Sequence, residues 1–189
     1  MMSSPAKIPG EKSRGEKAGN GNVRGERTKR LAYGAMFAAL AMIFSYIEVL
    51  VPIPVPIPGV KLGIANLVIL IALYRMGFKY AMTINIVRIV ASGLLFQGVF
   101  GMLYSLAGGV LSLIVMYLLY RTKLFSMTGV SMAGGVAHNF GQVSIACLIV
   151  SNVRLMSYFA ILLWTGLISG ILIGILAYII EKRLPSYIK

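Results

Sequence analysis

Aspartate is absent from this 189-residue chain, and its five acidic residues are all glutamates. Glu11, Glu16 and Glu26 fall in the first thirty positions and Glu181 near the end, so Glu48 alone stands within the long apolar middle. A Mg²⁺ site needs hard oxygen ligands, normally carboxylates, and this chain cannot assemble such a site by itself. One cysteine, Cys147, supports neither a disulfide framework nor a thiolate metal site. One histidine, His138, with no Cys or second His near it, makes no zinc site. Paired carboxylates, a Ser-His-Asp set and a Cys-His pair are missing too, which leaves no constellation for acid–base or nucleophilic catalysis. The expectation is a chain without catalysis, metal or cofactor of its own.

Charge as a whole is also scarce. Only 12% of residues are charged and 58% are hydrophobic, whereas soluble domains carry about 25% charged residues. Charge-free runs extend from Ile89 to Tyr120, Leu124 to Val153 and Leu155 to Ile180. A bilayer core needs about 20 apolar residues per crossing helix, and no soluble domain of this length has interior enough to hide such runs. The fold class expected is therefore an all-α integral membrane protein.

The net charge of +13 would suit nucleic acid if it formed a patch, but it is spread over helix ends. Residues 1–29 are rich in Gly, Ser, Glu and Lys or Arg without apolar periodicity, a composition expected to be a disordered basic tail. No short apolar core with a small-residue cleavage site follows it, so it does not read as a signal peptide. Residues 30–184 divide into six predicted helices, and 185–189 form a short C-terminal stub. The helices cover about Leu31–Leu50, Leu62–Tyr74, Tyr80–Gln97, Gly101–Tyr120, Ser131–Asn152 and Ser157–Ile180. The second is short and could be re-entrant with the third. Fifteen of the eighteen Lys and Arg residues fall on one side of this map: eight in the first thirty positions, then Arg75, Lys79, Arg121, Lys123, Lys182, Arg183 and Lys189. The positive-inside rule then places both termini in the cytoplasm of a multi-pass protein of the cell's inner membrane. No nucleic-acid partner is expected.

Polar residues inside such a bundle are costly and mark sites or interhelical ties. Arg88 lies near the middle of the third helix with Asn85 three residues before it; it reads either as a ligand contact or as a structural link. Glu48, at the end of the first helix, reads as a counter-charge or as a carboxylate that reaches water at the interface. The segment VPIPVPIPGVKLG that follows alternates Pro with Val or Ile, which forbids helix and demands protein or water around it at membrane depth. Lys61 and Asn66 beyond it, and Gln97 at the end of the third helix, are further candidate contacts. In the fifth helix His138, Asn139 and Gln142 fall on one side, either as a polar lining or as glue between helices. Ala35 and Ala39 space small residues for close approach of another helix.

The AxxxA of Ala35 and Ala39, then PGVKLGIAN, SLAGGVLSLIVM and GVAHNFGQ, together resemble a small membrane family named heptaprenyl diphosphate synthase component I, also called the Gx transporter family. The likeness covers about residues 30–182. That family is similar to the substrate-binding S components of energy-coupling factor (ECF) vitamin transporters. The resemblance implies a six-helix bundle with an outward-facing pocket for a small vitamin-like or anionic solute. It also implies a transmembrane T subunit contacting Ala35 and Ala39, with two ATPase subunits as partners besides the bilayer. The chain has no P-loop pattern, so ATP-driven work would come from those partners. The synthase name implies instead a non-catalytic membrane accessory subunit of a polyprenyl diphosphate synthase. Relatives linked to redox modules suggest a third alternative, a flavin- or quinone-related transport subunit.

Overall fold

The computed structural model of the chain describes residues 10–50 and 63–184, with side chains from 25 onward in the first helix. Lys61, the Pro-rich segment and the C-terminal stub lie outside the described residues. Among those described, the elements are α1 (Gly10–Leu50), α2 (Ile64–Met76), α3 (Phe78–Ser92), a π turn (Gly93–Gln97), α4 (Gly98–Thr122), α5 (Met127–Val150), a 3₁₀ turn (Val153–Tyr158) and α6 (Phe159–Arg183). No strand occurs among them.

Six α-helical segments stand where six were expected, yet only four stretches are long and apolar enough to cross a bilayer: Gly25–Leu50, Phe78–Thr122, Met127–Val150 and Val153–Arg183. The counts differ for two reasons. Helix α2 has 13 residues, about 20 Å at 1.5 Å per residue. And α3, the π turn and α4 run on as one helical stretch of 45 residues. That stretch is not a rod. A Cβ on Gly109 would lie 2.8 Å from Ile89 Cδ1, and one on Gly93 2.6 Å from Met102 Cβ, so α4 doubles back along α3. The reversal falls at Gly98, whose φ of 73° suits a residue without Cβ. The first helix also starts earlier than expected, at Gly10 rather than near Leu31. Extending a formed helix adds one hydrogen bond for each residue fixed, which is far cheaper than nucleation.

Burial explains the short helix. Leu67 to Leu73 are buried without interruption, and a helix apolar all round belongs in an interior. It packs against α1, α3 and α6. Helix α1 turns Phe37, Ala41 and Ser45 inward at every fourth position and leaves Ala35 and Ala39 exposed. Helix α5 is held between α4 and α6 by residues that lack side chains. Gly166, Gly170 and Gly174 form a ridge on α6. A Cβ on Gly170 would come within 2.6 Å of Met132 Cα, and one on Gly174 within 2.6 Å of Thr128 Cα. Such backbone proximity is how helices associate where lipid removes the hydrophobic drive. Large apolar side chains face outward instead, among them Leu94, Trp164, Ile168 and Leu172, a surface suited to lipid rather than water. The chain is a multi-pass helical membrane protein.

The helix ends sort by charge. Arg75, at the C-terminal end of α2, pairs with Glu181 at 3.2 Å and donates to the Glu181 and Leu184 carbonyls at 2.6 and 3.1 Å. Rings of Tyr74 and Tyr120, and of Phe78 and Tyr117, pack with centroids 4.6 and 4.5 Å apart. These contacts gather the C-terminal ends of α2, α4 and α6 and the start of α3. Arg75, Lys79, Arg121, Lys182 and Arg183 therefore share one end, hereafter the basic end. Glu48, Ile64 and Gln97 belong to the opposite half.

Candidate functional site

A polar cavity runs through the interior, lined from every helix. Its volume is about 40 Å³, space for about three ordered waters.

Arg88 is the chemical centre of this cavity. The side chain is 6% exposed, and its guanidinium is held by three neutral acceptors from three helices. Nε and Nη2 donate to Asn85 Oδ1 at 3.2 and 2.8 Å, Nη1 to Ser45 Oγ at 3.3 Å and Nη2 to Asn66 Oδ1 at 3.3 Å. The i, i+3 spacing of Asn85 and Arg88 on one helix face makes the first contact local. The other two come from α1 and α2. A guanidinium has five donors in a planar fork, so this cradle fixes the orientation of the fork without neutralising its charge. Glu48, on the cavity wall, is near enough to interact with that charge electrostatically. Its own carboxylate accepts the Ile64 amide, the first N–H of α2 and one of the donors a helix start leaves unpaired. Negative charge is favoured there by the helix dipole. Glu48 thus has a structural task as well as a place in the site.

The remaining sequence candidates divide. Asn66, Gln97, His138 and Asn139 all line the cavity. Gln97, the last residue of the π turn, accepts a hydrogen bond from Ser105 of α4 at 3.1 Å. Asn139 spends its amide on the Leu162 carbonyl at 2.7 Å and Thr165 Oγ1 at 3.5 Å, which ties α5 to α6. Gln142 does not share the lining with His138 and Asn139. It is buried where a Cβ on Gly108 of α4 would meet its Cγ at 2.8 Å, because the missing side chain of Gly108 opens a slot between the helices. Lys61 lies outside the described residues. Among the described residues no group of three His, Cys, Asp or Glu side chains stands together to hold a metal ion.

Sequence reasoning missed the serines. Ser45, Ser92, Ser105, Ser112, Ser131 and Ser169 all line the cavity. Ser105 and Ser112 are seven residues apart on α4, two turns on one face, and that spacing in an apolar helix was the available signal. Most of them are satisfied: Ser92 by the Ile89 carbonyl at 3.2 Å and Ser169 by that of Gly166 at 3.3 Å, for example. Ser112 is not. Its hydroxyl is buried, at 1% exposure, and meets no hydrogen-bond partner among the described residues. Neither does the Nδ2 of Asn85. An unsatisfied buried polar group costs about 1–3 kcal/mol, so such a group calls for a partner such as an ordered water or a ligand.

No curated protein and no solved structure matches the chain. Residues 37–180, a span that includes Arg88 with its cradle and the cavity lining, match the family described as heptaprenyl diphosphate synthase component I, and the chain belongs to that family.

Proposed function

We propose that this protein is a membrane subunit that binds a small water-soluble solute in the Arg88 cavity, in the manner of the S component of an energy-coupling factor importer. The carrying observation is a permanently charged fork held by neutral acceptors inside a serine-lined cavity. Burying a charge is costly, and here the fork is held in one orientation by four hydrogen bonds with Glu48 on the same cavity wall. The chain carries no catalysis in this reading, in keeping with the lack of aspartate. Six traverses put the basic end in the cytoplasm by the positive-inside rule, and the exposed Ala35 and Ala39 on α1 offer a close-packing face to a T subunit, which with its ATPases would supply the work.

Native mass spectrometry of protein extracted without delipidation tests this. The expected result is a bound hydrophilic molecule whose occupancy falls at least about tenfold in Arg88→Ala. No small molecule on the wild-type protein, together with no T subunit in the preparation, sinks the reading.

The family description favours a second reading: a non-catalytic accessory subunit that presents a lipid diphosphate to a soluble synthase. It predicts a co-purifying polyprenyl phosphate and loss of long-chain prenyl product on deletion. A flavin- or quinone-related transport role would show itself in the same spectra by the mass of the bound molecule.

A further inference from the structure

The Arg88 cradle accounts for one part of the cavity and leaves the part toward the basic end without a task. Helix α4 passes Asn85 at Gly109, where a Cβ would lie 3.0 Å from Asn85 Nδ2. One turn further toward the basic end is Ser112. Across from it, a Cβ on Gly134 of α5 would lie 3.3 Å from Ser112 Oγ, and Ser131 follows one turn beyond Gly134. Gly134 and Gly170 form walls here, with Met116 and Ile173. Among the described residues the deep part thus contains no carboxylate, lysine or arginine. Close helix approach at Gly134 and Gly170 bounds it, and it presents a buried hydroxyl without a partner among the described residues. A hydroxyl both donates and accepts, so it suits a neutral polar group.

We propose that this deep part, centred on Ser112 with Ser131 beside it, is a specificity subsite for the uncharged hydrogen-bonding portion of a slim anionic solute whose charged group rests at Arg88. The inference rests on the solute-binding reading above and names the substrate class. The solute carries one acidic group and a carbonyl, amide or hydroxyl group about one helical turn away. An isoprenoid chain does not meet this description, since it would leave Ser112 unsatisfied and bring only apolar atoms between serines and glycines.

The test uses two probes that differ only in charge, iodoacetate and iodoacetamide. Ser112→Cys is made in full-length protein carrying Cys147→Ser, and the ratio of the two alkylation rates is measured. Ser151→Cys, at an exposed position, supplies the reference ratio, and the ratio cancels differences in thiolate fraction. The expected result is a preference for iodoacetate at least about fivefold above the reference, lost when Arg88→Gln is added. Ser131→Cys should show the same preference, so misfolding of one variant does not protect the proposal. A cavity that holds only water gives alkylation without charge preference, and that overturns the proposal. So does failure of both deep positions to react while Ser151→Cys reacts. If those failures occur in protein that still carries a bound hydrophilic molecule by mass spectrometry, the subsite falls and the solute-binding reading stands. If no molecule is bound either, both fall.

Discussion

At the scale of single residues, the choice of arginine over lysine at position 88 follows from geometry. Three acceptors on three helices surround a planar fork, and Asn85 Oδ1 takes two of its N–H groups. A lysine ammonium keeps the charge but not the fixed spacing. Arg88→Lys is expected to lower stability by about 1 kcal/mol and Arg88→Ala by about 1–3 kcal/mol, since the latter leaves buried amide oxygens without donors. Thermal unfolding in detergent, followed by intrinsic fluorescence, measures both; equal melting temperatures for wild type and Arg88→Ala would contradict the cradle. Glu48 offers a finer test. Glu48→Gln keeps an acceptor for the Ile64 amide and removes the charge, so stability should change by less than about 1 kcal/mol, the size of a helix-dipole contribution. The sequence made Arg88 and Glu48 visible because charges in an apolar run stand out. It left the serines unseen, because a serine in a membrane helix is common and only its neighbours reveal whether its hydroxyl is used.

Among the helices, the seams of α5 are set by glycine. A Cβ on Gly135 would collide with the Gly166 carbonyl oxygen, which is backbone and cannot swing aside. Gly135→Ala should therefore push α5 from α6 at a cost of about 1–3 kcal/mol. Gly129→Ala is the internal control: the nearest atom to its Cβ would be 3.6 Å away, and replacing a helical glycine there should gain about 0.5–1 kcal/mol. Opposite signs for two substitutions on one helix would be difficult to obtain from anything but the seam. The periodic glycines at 166, 170 and 174 are legible in the sequence as a pattern, but the pattern does not say which helix they meet. Equally, the apolar run of α2 and its short length were legible, whereas its position inside the bundle depends on packing against α1, α3 and α6.

For the whole molecule, the basic end is closed by Arg75. It donates to the backbone carbonyls of Glu181 in α6 and of Leu184 just beyond the helix, and it pairs with a partly exposed carboxylate. Glu181→Gln should thus cost under about 1 kcal/mol, as surface pairs do, while Arg75→Ala should cost about 1–3 kcal/mol through lost bonds to carbonyls. The reverse order would mean that the ion pair, not the carbonyl clamp, joins α2 to α6. Reporter fusions at the two termini test the proposed orientation: both are expected to be active as cytoplasmic reporters, and opposite locations would exclude an even number of traverses.

Composition alone determined that this chain lies in a membrane, because too few charged residues exist to cover a soluble surface and the apolar runs exceed what an interior of this size can hold. It also determined which ends carry positive charge, since lysines and arginines are readable one by one. Tertiary structure decided what the polar residues do. His138, Asn139 and Gln142 share a helix side, yet only the first two line the cavity; Asn139 is committed to α6 and Gln142 fills the gap beside Gly108. Ser45, Asn66 and Arg88 are far apart in the chain and meet only because α1, α2 and α3 converge. The physical reason is that helical periodicity fixes the face a side chain occupies, while the partner opposite that face is fixed by how closely backbones approach, and in this bundle glycines set that approach.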